Sequence, residues 1–198
     1  MGTAIDIDQP PWWLIPDLAT TWQVWSFDNS SFGPVEPDSV GFDSLLGTHL
    51  TVYPQSYWLT QHNSFNYYGL TGGTGVWQLS GTGINAHIVN YDIPALEKHI
   101  WIQVTWAAQQ PGNVPSIVIE DDSGTQTVPV TAPLILTSLD NGWFHSTYEV
   151  ILNSGSPFEV INISGSVFID DLVIDTLLIP EPASIFLVII GTLLFRRK

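Results

Sequence analysis

Tyr57, Trp58, Asn63, Asn66, Tyr67 and Tyr68 stand in or beside one short segment, QHNSFNYYGLTGG. Aromatic rings stack on the apolar C–H faces of sugars, and asparagine amides can reach neighbouring hydroxyls with paired hydrogen bonds. These six residues are the candidate ligand site, suited to a neutral sugar. The competing role for such aromatics is packing in or near a core. The five histidines, His49, His62, His87, His99 and His145, show no H-x-x-x-H spacing, so zinc is not indicated. No G-x-S-x-G elbow presents a nucleophilic serine. Glycoside hydrolysis needs two carboxylates facing each other across a cleft, yet Glu97, Glu120, Glu149 and Glu159 fall singly along the chain. The reading is a non-catalytic protein that requires no cofactor. The pairs Asp6 with Asp8 and Asp121 with Asp122 lack a metal-loop pattern and read as exposed turns.

The scaffold that must position these residues reads as all-β. The chain holds nine Trp, six Tyr and nine Phe, with 16 Gly and 14 Pro. Aromatic and β-branched residues favour strands, and frequent Gly and Pro mark turns. Strands are expected over 22–27, 49–53, 57–60, 75–79, 84–90, 99–107, 116–120, 125–130, 142–152, 158–163 and 167–178, with a hairpin turn at Asp121–Gly124. The segment Leu96–His99 is too short to form a helix. Along 99–107, Ile100, Ile102, Val104 and Trp106 share one face, while Trp101, Gln103 and Thr105 share the other. The expectation is a half-wet strand, with its apolar face inward. About ten strands in one body suggest two packed antiparallel sheets, a β-sandwich.

Charge narrows the partners. The chain of 198 residues has 19 carboxylates, four Lys or Arg and a net charge of −15. Three of the four basic residues are Arg196, Arg197 and Lys198. Without them and Glu181, the body holds 18 carboxylates against Lys98 alone. Such a surface repels nucleic acid and anionic headgroups, so no nucleic-acid partner is expected. With 44% hydrophobic residues the chain is not a disordered acidic tail. It has no cysteine, which excludes disulfides and thiolate metal sites.

The C-terminus reads in three parts: Pro180, Glu181 and Pro182; an apolar run from Ala183 to Phe195; then Arg196, Arg197 and Lys198. The run is shorter than the ~20 residues of a permanent spanning helix, and the basic end favours the cytoplasmic side. The order resembles the PEP-CTERM sorting domain of exported bacterial proteins. The resemblance implies two parts, a β-sandwich over 1–179 and a sorting, membrane-inserting segment over 180–198. It also implies exosortase as partner, an inner-membrane-anchored precursor, and a final place at the cell surface or in the extracellular matrix, often beside exopolysaccharide. Such proteins begin with a secretory signal peptide, and MGTAIDIDQPPWWLIPDL has no early Lys or Arg. The expectation is a true start farther upstream.

A second resemblance covers Phe168-Ile169-Asp170-Asp171-Leu172-Val173-Ile174-Asp175. It is similar to the last strand of jelly-roll sandwiches in the galactose-binding-like and carbohydrate-binding-module group. The resemblance implies a structural calcium on Asp170 or Asp171. Asp28 or Glu36 of the early loop would join it, since hard cations take six to eight oxygens. The alternative for the pair is a strand edge blunted by charge. Three functions follow: an exported non-catalytic β-sandwich sorted by its tail, a sugar-binding module that tethers exopolysaccharide, or a glycoside hydrolase on the same scaffold.

Overall fold

The computed structural model describes residues 20–25, 27, 36–37, 39–40, 49–52, 57–60, 75–79, 83–89, 96–121, 127–139, 142–152 and 158–180. The strands among them are β1 Thr20–Trp25, β2 Ser39–Val40, β3 His49–Val52, β4 Tyr57–Thr60, β5 Gly75–Gln78, β6 Gly83–Val89 and β7 Leu96–Ala108. They continue with β8 Ser116–Asp121, β9 Thr127–Val130, β10 Ile135–Ser138, β11 Trp143–Leu152, β12 Phe158–Ser164 and β13 Val167–Pro180. One sheet has eight strands, ordered β10-β11-β7-β13-β1-β2, with the β4–β5 hairpin joined to β13. The other runs β3-β6-β12-β8-β9. Every pairing is antiparallel. The result is the two-sheet sandwich that composition and spacing predict.

Period-two alternation builds the core. Ile100, Ile102, Val104 and Trp106 of β7, Val150 of β11, and Leu172 and Ile174 of β13 belong to one buried cluster with Ile84 and Ile88 of β6, Ile117 and Ile119 of β8, and Ile161 and Ile163 of β12. Each such side chain contributes about 1.5–3 kcal/mol on burial. The Trp106 ring stacks on Phe144 with centroids 4.8 Å apart. Its Nε1–H donates to Ser146 Oγ at 2.8 Å, which satisfies the one polar atom of the indole.

Lys98, the solitary base of the body, has a partner that the sequence does not display. Its parity on β7 sends it inward, where its ammonium pairs with the Glu159 carboxylate of β12, both side chains fully buried. The ion pair joins the two sheets. Burial outweighs the attraction of Glu159 and holds the Lys98 ammonium down at about 8.

β13 is flanked by β7 along its whole length but changes its partner on the other side. Phe168 and Ile169 pair with Gln78 and Trp77 of β5, and Leu172 to Leu177 pair with β1. The register with β7 shifts between Ile169 and Asp171, which makes Asp170 the extra residue of a bulge at the changeover. The chain reaches β13 from β12 by crossing between sheets at Gly165, whose φ of 128° suits glycine. Beside this corner, Gln109 Nε2 donates to the carbonyls of Leu79 and Val167, tying the ends of β5, β7 and β13 together.

Three features depart from the expectation. β2 and β10 are additional strands, and Leu96–His99 opens β7 as strand. The third concerns the outer face of β7. Trp101, Gln103 and Thr105 are not half-wet; they are buried, no more than 5% exposed. Both faces of the eight-stranded sheet are therefore withdrawn from water around β7 and β13.

Candidate functional site

The outer face of the larger sheet is buried yet polar, and cross-strand register arranges it in rows. Residues directly opposite one another on neighbouring strands share a face, about 4.7–4.9 Å apart in the hydrogen-bonding direction. One row is His145 (β11), Thr105 (β7) and Asp171 (β13). The next is Thr147, Gln103, Val173 and Val24. A third is Glu149, Trp101, Asp175 and Trp22. His145, Thr105, Asp171, Thr147, Gln103, Trp101 and Asp175 are each at most 6% exposed.

Geometry fixes part of this network. His145 Nε2 lies 3.3 Å from Gln103 Oε1, and Nδ1 lies 3.1 Å from Thr105 Oγ1. A carbonyl oxygen only accepts, so Nε2–H donates to Gln103. In the neutral ring, Nδ1 then accepts a hydrogen bond from the Thr105 hydroxyl. The inward sides of the same three strands are mainly apolar, with Lys98, Ser146 and Thr176 as polar exceptions. A polar group withdrawn from water costs about 1–3 kcal/mol when it is unsatisfied. Polar residues gathered on one covered face therefore break the packing rule that the opposite face obeys, and such breaks concentrate at functional sites.

At the rim, the face becomes accessible. His99 Nε2 stands 3.1 Å from Glu97 Oε1, and Nδ1 stands 3.1 Å from Glu149 Oε1. The imidazole stands between the two carboxylates. Trp22 is part-exposed at the other end of the third row.

The sequence-derived candidates distribute as follows. Asp170 and Asp171 are buried in a central strand, so the charge-blunted edge does not apply to them. Glu36 is exposed. Asp28, Asn63, Asn66, Tyr67 and Tyr68 lie outside the described residues, as do Glu181, Pro182, Arg196, Arg197 and Lys198. Pro180 ends β13, opposite Leu96. Among the described residues no group of three His, Cys, Asp or Glu is placed to hold a metal, and no helix is long and apolar enough to cross a membrane. Tyr57 and Trp58 occupy the β4 positions opposite Gln78 and Trp77.

Register brings two of these candidates together. The segment 61–74, which carries Asn63, Asn66, Tyr67 and Tyr68, connects β4 to β5. Thr60 pairs with Gly75 at the loop end of that hairpin. Trp77 pairs with Ile169, the residue that precedes the Asp170–Asp171 bulge. The hairpin that carries the candidate sugar segment thus joins β13 next to the bulge. Sequence reasoning missed His145, Asp175 and Trp22 as members of this face. Its readable signal was the Trp101, Gln103, Thr105 alternation.

No protein-family model matches the sequence, and no curated protein matches it. Solved structures give partial matches. A xylan-binding domain of family 22 from Paenibacillus barcinonensis is 14% identical with a TM-score of 0.42, the match covering 79% of this chain and 93% of that one. A family 6 carbohydrate-binding module of Cellvibrio mixtus lichenase, in complex with cellotriose, is 17% identical with a TM-score of 0.38, covering 79% and 96%. An exo-β-1,3-galactanase from Phanerochaete chrysosporium is 15% identical with a TM-score of 0.36, covering 69% of this chain but 30% of the enzyme.

Proposed function

We propose that this protein is a non-catalytic module that binds neutral polysaccharide, exported and sorted to the cell surface or extracellular matrix by its C-terminal segment. The observation that carries the reading is the polar, aromatic outer face of the larger sheet, covered at its centre but open at its rim, where Trp22 is part-exposed and Glu149 is exposed. Sugar recognition needs rings to stack on and groups that accept or donate paired hydrogen bonds. The row Glu149, Trp101, Asp175, Trp22 alternates the two kinds of group from strand to strand. Gln103 and His145, buried and bonded to one another in the adjoining rows, back that rim. Carboxylates on this face disfavour uronic-acid polymers by like-charge repulsion. The rim carboxylates Glu97 and Glu149 are separated by His99, which argues against a hydrolase.

The sorting half of the reading rests on the tail: Pro180, Glu181 and Pro182 for exosortase, Ala183 to Phe195 for the inner membrane, and Arg196 to Lys198 for orientation. A structural calcium on Asp170 or Asp171, with Asp28 or Glu36, belongs to the same reading.

Affinity electrophoresis tests the sugar site. The full chain is run through gels containing a β-glucan, xylan or alginate, with calcium or with EDTA. Retardation by a neutral polymer, weakened about tenfold in Trp22→Ala through the loss of about 1–2 kcal/mol of ring contact, is expected. Near-UV circular dichroism checks that the variant folds. EDTA should weaken binding if calcium shapes the bulge. Migration unaffected by every neutral polymer would remove the sugar-binding reading.

A further inference from the structure

We propose that β10 pairs edge to edge, antiparallel, with β10 of a second copy of this chain, with Thr137 opposite Thr137 on the twofold axis. Among the described residues β10 ends the larger sheet, and all four of its residues are exposed. Leu134, Ile135 and Leu136 are 58%, 38% and 55% exposed. Proteins ordinarily blunt an edge with lysine, proline or an inward charge. β9, which ends the smaller sheet, carries Pro129, but β10 carries no such device. From Thr125 to Leu139 no residue is charged, in a chain of net charge −15. A basic partner would be drawn to the acidic surface. An equally acidic one, such as a second copy, meets least repulsion along this uncharged strip.

The register follows from hydrogen bonding. Leu139 N–H donates to Trp143 O at 2.8 Å. Alternation along an antiparallel strand then turns the backbone groups of Thr137 and Ile135 toward β11, and those of Leu136 and Ser138 toward the free edge. Pairing Leu136 with Ser138 of the second copy, and the reverse, satisfies the outward groups with about four hydrogen bonds. Thr137 then faces its own copy at the close, non-hydrogen-bonded spacing, a favourable cross-strand pair. The interface is isologous and closes as a dimer. Its axis is perpendicular to the sheet, so both outer faces look the same way. On the sugar-binding reading above, that alignment lets one polymer engage both faces and adds avidity.

The absence of cysteine makes the register directly testable. Thr137→Cys places two thiols on Cα atoms about 4.5 Å apart, within disulfide reach. Ile135→Cys separates them by about 13 Å along the strand. Under mild oxidation the full chain in non-ionic detergent should give a covalent dimer with Thr137→Cys and remain single with Ile135→Cys. Sedimentation of the unmodified chain should show a dimer that tightens with salt, as screening relieves repulsion. Leu136→Lys, at an exposed position, should raise the dissociation constant about tenfold or more. Cross-linking of neither variant, of both alike, or of Ile135→Cys alone overturns the pairing, as does a dimer indifferent to Leu136→Lys. No sugar enters these measurements, so their failure is separate from a failure of the sugar reading.

Discussion

Lys98 shows how much one residue's meaning depends on its partner. In the sequence it is a single cation among acidic residues. In the fold it spans the sandwich to Glu159, and both groups give up water. Removing one member of such a pair strands the other charge, so Lys98→Met should cost about 3–5 kcal/mol. The double variant Lys98→Met/Glu159→Leu should recover most of that loss, since well-packed apolar residues replace a buried ion pair at little net cost. Urea unfolding measures both. The same pair gives stability a pH dependence. An unfolded lysine keeps its proton up to 10.5, whereas the folded Lys98 releases it at about 8. Between those values the unfolded state binds more protons, so unfolding free energy rises with pH. Tyr148, whose phenol burial pushes up, opposes this only above pH 10. The urea midpoint should therefore climb from pH 8 to pH 10 in the natural chain. It should stay flat in the double variant, and equal slopes would show that Lys98 is not the source.

At the scale of the element, close backbone approach decides what a strand tolerates. Gly83 opens β6 opposite Ser164, and a Cβ there would stand 1.7 Å from the Ile163 carbonyl oxygen. Gly83→Ala should cost about 1–3 kcal/mol or more by overpacking, because backbone has to shift. Thermal unfolding of that variant checks it, and an unchanged midpoint would mean that the β6–β12 ladder yields freely. The strands themselves were largely legible. The alternation of Ile100, Ile102, Val104 and Trp106 was enough to place β7's inner face. β10 was not legible, because Leu134, Ile135 and Leu136 run without alternation after Pro133. The other face of β7 was misjudged for a different reason: alternation sorts residues to two sides but does not say whether the second side is covered.

At the scale of the whole molecule, the tail and the sandwich make separate claims. If exosortase processes the chain, the intact mass of protein recovered from cells should lack the residues beyond about Pro182, as a sorting signal of this make-up implies. A mass that retains Arg196, Arg197 and Lys198 would count against processing and leave an anchor or a packed segment in its place. The sandwich reading stands apart from that result, since its two sheets and core arise upstream.

The sequence by itself determined the fold class, the strand periodicity and the acidic surface, because composition and period-two alternation are local properties of a chain. Only tertiary structure decided that Asp170 and Asp171 sit at a bulge in a central strand and that Lys98 meets Glu159. It also decided that His145, Thr105 and Asp171 form one row, and that the β4–β5 hairpin joins β13 next to the bulge. These are pairings between residues far apart in sequence, set by register and by sheet-on-sheet packing. No window along the chain contains both members of such a pair.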